Sequence, residues 1–190
     1  MARNLKVIEG KYIYLKPVSN EDAEFVVFVR NHQDYSRYLN KSAETVEEQI
    51  KWFEKYYDME NEHYFTIVWR NTNKNIGTID IKDIDWNDKK AEWGKWIVIN
   101  NPLAAIESMY LLYDYGFNRL NLEKIYFTTV IENVNTAKIH ERYKAKKIKL
   151  LKDYFYKYEK YYDSYLYEID KNEFNDNIKK FLRKLIYGDS

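Results

Sequence analysis

The chain contains no cysteine among its 190 residues. This absence excludes disulfides, a thiolate nucleophile and cysteine-ligated metal, and it agrees with an expected cytoplasmic location. Only three histidines occur, and they form no HExxH-type pair, so the sequence predicts no metal site. No apolar run is long enough to span a bilayer, and the N-terminus has no apolar signal segment. Since 31 basic residues balance 30 acidic ones, the composition does not indicate a nucleic-acid-binding surface.

Local patterns predict one mixed α/β domain over residues 1–190, with the element order βααβββαβαββα. Ser19 and Thr45 each stand three residues before an acid, which is the capping box that begins a helix. The segment 171–190 is predicted to add a C-terminal amphipathic helix with a basic face. That face suits either an anionic membrane or packing against the domain or a second subunit, and packing is the preferred interpretation.

A strand over 91–99 runs directly into a helix, and a second strand follows over 124–130. Asn101 is a suitable N-cap, and Pro102 suits the first helical position, where no N–H is needed. Such a strand–helix–strand unit predicts a parallel pair with a right-handed crossover. The free N–H groups of the helix start would then lie beyond the first strand, where they suit an anion such as a pyrophosphate.

Three segments in the same order resemble the GNAT superfamily of acyl-CoA-dependent N-acetyltransferases: 76–79 with 90–94, 114–125 and 132–143. The resemblance covers roughly residues 10–170. It is nearest to the branch that holds nucleotide-amino-sugar acetyltransferases of the pseudaminic acid pathway and ribosomal-protein N-terminal acetyltransferases. It implies a mostly antiparallel sheet with a parallel, splayed central pair and helices on both faces. It also implies acetyl-CoA as co-substrate, without a metal.

The phosphate-binding segment departs from the family pattern. The family normally has Gln/Arg-x-x-Gly-x-Gly/Ala after its fourth strand, whereas residues 100–105 read Asn-Asn-Pro-Leu-Ala-Ala. Pro102 removes one donor, but the N–H groups of Leu103, Ala104 and Ala105 are expected to stay free. The resemblance therefore implies a weakened anion site.

The resemblance implies further cofactor contacts. Backbone N–H groups of Ile97, Val98 and Ile99 would pair with pantetheine and polarise the thioester carbonyl. Asn133 would cap the helix after the fifth strand and touch CoA.

The resemblance also implies catalytic residues. His140 stands where the family tends to place a tyrosine that acts as general acid, and the expected histidine pKa is nearer neutrality. The alternative is a partly exposed histidine that only packs. Glu92 occupies a position where related enzymes use an acid as general base, and the alternative is a surface carboxylate paired with Lys90 or Lys95.

Arg30 and Asn31 resemble the end of a Trp-Arg-Asn motif of the sugar branch, with Val29 in place of the Trp. Arg30 suits a diphosphate or carboxylate held bidentately, or it complements the helix dipole. The predicted function is acetyl transfer to a primary amine, preferably the 4-amino group of a nucleotide-linked deoxy sugar. The alternatives are a protein or peptide N-terminal amine acetyltransferase and a non-catalytic binding protein of the same fold. A homodimer is left open.

Overall fold

The computed structural model describes residues 5–188, so the ends of the predicted domain 1–190 lie outside the described residues. The strands are β1 (Ile8–Glu9), β2 (Ile13–Pro17), β3 (His63–Trp69), β4 (Lys74–Asp85), β5 (Lys90–Val98), β6 (Lys124–Val130), β7 (Lys146–Lys157) and β8 (Lys160–Asp170). The α-helices are α1 (Ala23–Asn31), α2 (Gln33–Ser36), α3 (Val46–Tyr56), α4 (Pro102–Asp114), α5 (Val134–Arg142), α6 (Lys171–Glu173) and α7 (Lys179–Tyr187). A 3-10 turn (Asn20–Asp22) precedes α1, and π-helical turns follow α4 (Tyr115–Arg119) and α6 (Phe174–Ile178). The predicted order is confirmed, and β1, α2 and α6 are short elements that the patterns missed.

The eight strands form one sheet in the order β1-β2-β3-β4-β5-β6-β8-β7, and β5–β6 is its single parallel pair. Those two strands pair only where Lys90–Glu92 meets Lys124–Tyr126, after which they separate. A bulge helps to bend β5 away, because the β4–β5 register shifts between Thr78 and Asp80. At this bulge Lys95 has φ of 43°. The predicted splayed parallel pair is therefore confirmed.

Helices cover both faces of the sheet, because alternate strand residues feed two apolar clusters. On β3, Tyr64 packs with Val26 of α1 and Phe53 of α3. The next residue, Phe65, joins the larger cluster, which includes Met109 and Leu112 of α4. This two-residue alternation is what a pleated strand with both faces buried requires.

Two predicted helix starts are confirmed in atomic detail. Thr45 and Glu48 form a reciprocal capping box at the start of α3. Asn101 caps α4 by accepting from the Ala104 N–H at 3.0 Å, with Pro102 in the first turn.

The C-terminal helix packs back on the domain, as the preferred interpretation held. Its residues Leu182 and Ile186 are buried in the main core. Two of its basic side chains contact α4: Lys179 lies 2.5 Å from the Asp114 carboxylate, and Arg183 donates to the Tyr110 hydroxyl at 3.1 Å. Across residues 5–188 no helix combines the length and apolarity that a membrane span needs.

Candidate active site

The separation of β5 from β6 opens a cavity of about 1360 Å³, called here the splay cavity. Its walls include residues 92–96 of β5, residues 127–130 of β6 and His140 of α5. Most residues of the segment 33–41 and several of the β7–β8 hairpin complete the lining. The cavity therefore lies where the pairing of β5 with β6 has ended.

Side-chain hydrogen bonds join the segment around α2 to the β7–β8 hairpin and to the turn after β6. The Lys157 ammonium donates to the carbonyls of Ser36 and Leu39, both at 2.7 Å. The Tyr38 hydroxyl donates to the Glu132 carbonyl at 3.3 Å. Burial and the nearby cation of Arg30 lower the pKa of Lys157. The roof of the cavity is thus held by polar contacts between segments far apart in the chain.

Glu92 lines the splay cavity beside the last paired residues of β5 and β6. It is directly opposite Lys82 in the sheet, and their charged atoms are 3.0 Å apart. The alternative that paired Glu92 with Lys90 or Lys95 is therefore wrong about the partner. Burial raises the pKa of Glu92, although the Lys82 ammonium acts in the opposite direction. A carboxylate with a raised pKa is a stronger base than an ordinary surface glutamate.

His140 also lines the splay cavity, but it is only 2% exposed. Its ring packs among Trp93, Phe127 and Tyr167, with 4.3 Å between the His140 and Phe127 ring centroids. Burial lowers its pKa to about 3, so the expected near-neutral value is wrong and the ring is neutral at physiological pH. The Nδ1 atom has no hydrogen-bond partner in the described structure. A neutral imidazole still carries one N–H, so His140 can donate a hydrogen bond without being charged.

The start of α4 is less open to an anion than expected. The Ala104 N–H donates to the Asn101 side chain and the Ala105 N–H donates to the Asn101 carbonyl, each at 3.0 Å. The expectation that both amides stay free is therefore wrong, and at most the Leu103 N–H is available. The Ala104 side chain is fully buried, so it is small because it faces the core.

Of the three backbone amides predicted to contact pantetheine, two face β4 and one faces the open side of β5. The Ile99 N–H donates to Ile76 at 2.8 Å, so it faces β4 and not the open edge. Because successive amides of a strand point to opposite sides, Val98 directs its N–H towards the open side and Ile97 towards β4. Asn133 stands at the N-cap of α5 but makes no side-chain capping bond, which corrects that expectation, and it lines the splay cavity.

The two predicted acceptor residues have different positions. Arg30 is 6% exposed and lines the splay cavity. Its Nη2 donates to the Asn40 carbonyl at 3.0 Å, whereas Nη1 has no hydrogen-bond partner in the described structure. Asn31 is exposed and lies outside the cavity lining, where its amide donates to Val27 and Ala43 carbonyls at 3.0 and 2.8 Å. Asn31 therefore holds the loop after α2 against α1.

A second cavity of about 560 Å³ adjoins the first and shares Arg30, Lys41 and Lys95 with it. We call it the α3 cavity, because Gln49, Lys51, Trp52 and Lys55 of α3 form one side. Sequence reasoning missed this cavity altogether. Its residues come from α1, the loop 41–43, α3, β3 and β5, and no local pattern connects them.

Lys95 lies at the junction of the two cavities. Its ammonium pairs with Glu62 and lies 3.0 Å from the buried Asp80 carboxylate. It also stands over the rings of Trp52 and Tyr64, at 4.6 and 4.8 Å. Burial opposes its charge, but Asp80 and Glu62 outweigh that effect and raise the pKa of Lys95. This side chain is therefore a fixed cation inside the protein.

The family of this chain follows from its similarity to known proteins. The family model for the acetyltransferase (GNAT) domain matches residues 13–146, which is more than half of the chain. The chain belongs to the GNAT family. It is an N-acetyltransferase, and the GNAT acetyltransferases use acetyl-CoA as acyl donor. Among residues 5–188, no group of three or more His, Cys, Asp or Glu side chains is placed to hold a metal ion.

The chain is similar to one curated relative and to two solved structures. An uncharacterized N-acetyltransferase, p20 of Bacillus licheniformis, is 27% identical over 183 residues, which is 90% of this chain and 99% of p20. The structure of FdhC, a nucleotide-linked sugar GNAT, has a TM-score of 0.76 and 28% identity over 97% of this chain and 99% of FdhC. A spermidine N-acetyltransferase from Vibrio cholerae has a TM-score of 0.77 at 20% identity, over 88% of this chain and 98% of its own. At that identity the likeness to the spermidine enzyme concerns the fold alone.

Proposed function

We propose that this GNAT enzyme transfers the acetyl group of acetyl-CoA to the 4-amino group of a nucleotide-linked deoxy sugar. The observation that carries the proposal is the splay cavity, which brings Glu92, His140 and Arg30 to one space. Glu92 and His140 supply a carboxylate of raised pKa and a neutral imidazole. Arg30 supplies a buried cation to the part of the cavity that we assign to the amine acceptor, called here the acceptor side.

Each residue has a defined role in the proposed reaction. Glu92 accepts the proton of the acceptor amine, directly or through a water molecule, so that the neutral nitrogen attacks the thioester carbonyl. The Val98 N–H stabilises the negative charge that develops on the carbonyl oxygen. The C–S bond then breaks, and the neutral His140 ring donates a hydrogen bond to the leaving thiolate. After the attack the nitrogen releases a second proton as the amide forms, and this proton converts the thiolate into CoA thiol. Glu92 returns the first proton to solvent.

The charge of the acceptor side supports a phosphate-bearing acceptor over a polyamine. Arg30 and Lys41 line the splay cavity, and within the described residues neither has a carboxylate within 4 Å. Cations in this position repel a polycationic acceptor such as spermidine and attract a diphosphate. The 28% identity with a nucleotide-linked sugar GNAT agrees with this preference.

The proposal is tested by measuring CoA thiol release from acetyl-CoA with a panel of amines. The panel contains a nucleotide-linked 4-amino-4,6-dideoxy sugar, spermidine and a peptide with a free N-terminus. We expect the sugar nucleotide to give the highest kcat/KM. A higher kcat/KM for the peptide would establish the peptide N-terminal alternative, and binding of acetyl-CoA without turnover of any amine would establish the non-catalytic one.

A further inference from the structure

The α3 cavity carries positive charge that the protein itself does not neutralise. Its lining contains five cations, Arg30, Lys41, Lys51, Lys55 and Lys95, and the two carboxylates of Glu48 and Glu62. A third carboxylate, that of Asp80, lies 3.0 Å from Lys95, so the cations still outnumber the carboxylates. We infer that this cavity binds the diphosphate of the acceptor while the amino sugar occupies the splay cavity. The inference rests on the proposed function, because it assigns the acceptor's phosphates to a position beside the proposed reaction site.

Both carboxylates of the lining are already engaged. Glu62 is paired with Lys95. Glu48 accepts the Glu44 N–H at 2.8 Å as part of the cap of α3. The remaining four cations are not within 4 Å of any carboxylate in the described part of the chain. The unmatched charge of the cavity is therefore positive, and the fitting ligand is an anion.

Arg30 gives the most specific indication of that anion. Its side chain is buried, one guanidinium nitrogen donates to the Asn40 carbonyl, and Nη1 has no partner. A buried guanidinium N–H without an acceptor is costly, since burial removes the water that would otherwise bind it. Phosphate oxygens match the planar guanidinium in charge and in geometry. Because Arg30 lines both cavities, an anion bound there lies next to the splay cavity.

Contacts within the protein hold the residues of the α3 cavity in place. Lys51 and Lys55 are four residues apart on α3 and so share one helix face. The loop that carries Lys41 is fixed by the Asn31 amide on the Ala43 carbonyl and by Arg30 on Asn40. A volume of about 560 Å³ is in the range of small-molecule sites.

The geometry also limits what binds in the α3 cavity. Trp52 stacks on Tyr56, with the ring centroids 5.4 Å apart and the planes at 10°, and it carries the Lys95 ammonium at 4.6 Å. Its ring is therefore already engaged with the protein. Four cations of the lining have no carboxylate within 4 Å in the described part of the chain, so we assign phosphate rather than a stacked base to this cavity.

The test compares two double variants of equal charge change. Lys51→Gln/Lys55→Gln removes two cations from α3, where glutamine remains a good helix former. Lys149→Gln/Lys152→Gln removes two exposed cations of β7 that line neither cavity. Inorganic pyrophosphate is titrated calorimetrically into each protein, first without CoA and then at saturating CoA, so that the CoA diphosphate site is filled in the second titration.

We expect pyrophosphate to bind the wild type and the β7 variant equally, and to bind the α3 variant about tenfold more weakly or worse. Equal affinity in all three proteins would overturn the inference. So would wild-type binding that disappears when CoA is present, because the pyrophosphate would then occupy the CoA site.

A kinetic readout separates this inference from the proposed function. With the nucleotide-linked amino sugar, the α3 variant should raise the acceptor KM about tenfold and leave the KM for acetyl-CoA unchanged. If the wild type acetylates no sugar nucleotide, the proposed acceptor fails, while the pyrophosphate titration still decides whether the cavity binds an anion. If the wild type is active and the α3 variant keeps its acceptor KM, the cavity assignment alone fails.

Discussion

At the residue scale, Glu92 is the proposed general base, and its contact with Lys82 influences its pKa. Replacing the carboxylate by Glu92→Gln should lower kcat about 100- to 10,000-fold while the KM for acetyl-CoA changes little, because a general base acts in the chemical step. Initial rates of thiol release measure this effect. A loss below about tenfold would assign Glu92 to structure only.

A substitution of Lys82 distinguishes a catalytic Glu92 from a Glu92 that only stabilises the structure. The Lys82 cation lowers the pKa of Glu92, while burial raises it. Lys82→Met should therefore raise that pKa further and move the acidic limb of kcat/KM to higher pH. A profile that does not move would contradict the assignment of this limb to Glu92.

His140 makes a second residue-scale prediction, which concerns stability. Its pKa is lowered from 6.5 in the unfolded chain to about 3 in the folded protein. Between these values the unfolded state binds more protons, so the free energy of unfolding falls as pH falls from about 6.5 towards 3. The loss attributable to this residue is at most about 5 kcal/mol, since one pKa unit corresponds to about 1.4 kcal/mol.

Urea unfolding of wild type and His140→Leu at pH 7 and pH 4.5 measures that contribution. Leucine fits an apolar site and does not titrate, so the variant should lose less stability between the two pH values than the wild type. Identical losses would mean that His140 is not a buried neutral histidine in the folded protein.

At the scale of elements, α4 holds the first strands of the sheet through one carboxylate. The buried Glu107 accepts the N–H groups of Lys11, Tyr12 and Ile13, the last at 3.1 Å. These donors lie in the turn between β1 and β2 and at the first residue of β2, so the carboxylate ties this turn to α4. Burial raises the pKa of Glu107, and the three amides oppose that effect.

Glu107→Gln should lower the free energy of unfolding by about 2–3 kcal/mol, because an amide offers one acceptor oxygen and turns an N–H towards backbone donors. The midpoint of urea unfolding checks this value. The exposed Glu54 of α3 offers a matched control, since Glu54→Gln should change stability by less than about 0.5 kcal/mol. Equal effects in the two variants would show that the Glu107 contacts do not stabilise the fold.

At the scale of the whole molecule, α7 closes the main core rather than extending from it. Leu182 is fully buried in that core, while Leu185 on the same helix is 37% exposed. Leu182→Ala should therefore lower the free energy of unfolding by about 3 kcal/mol, through lost transfer energy and a new cavity. Leu185→Ala should cost less than about 1 kcal/mol. Similar losses for the two variants would mean that α7 is not anchored by its buried face.

Local chemistry made much of this fold predictable from the chain alone. Thr45 and Asn101 cap their helices through bonds spanning three residues, and strand alternation depends on adjacent side chains, so both are readable in sequence. The splayed parallel pair followed from the family resemblance and from the strand–helix–strand unit. The positions of Glu92 and Arg30 in the splay cavity were predictable for the same reason.

Only the tertiary structure decided the electrostatics of the site. The pKa of His140 depends on burial among aromatic rings of β5, β6 and β8. The fixed charge of Lys95 depends on Glu62, just before β3, and on Asp80 of β4. The unpartnered Arg30 Nη1 and the α3 cavity likewise arise where separate elements meet. Burial and charge pairing are properties of contacts between residues distant in sequence, so the residue types alone do not determine them.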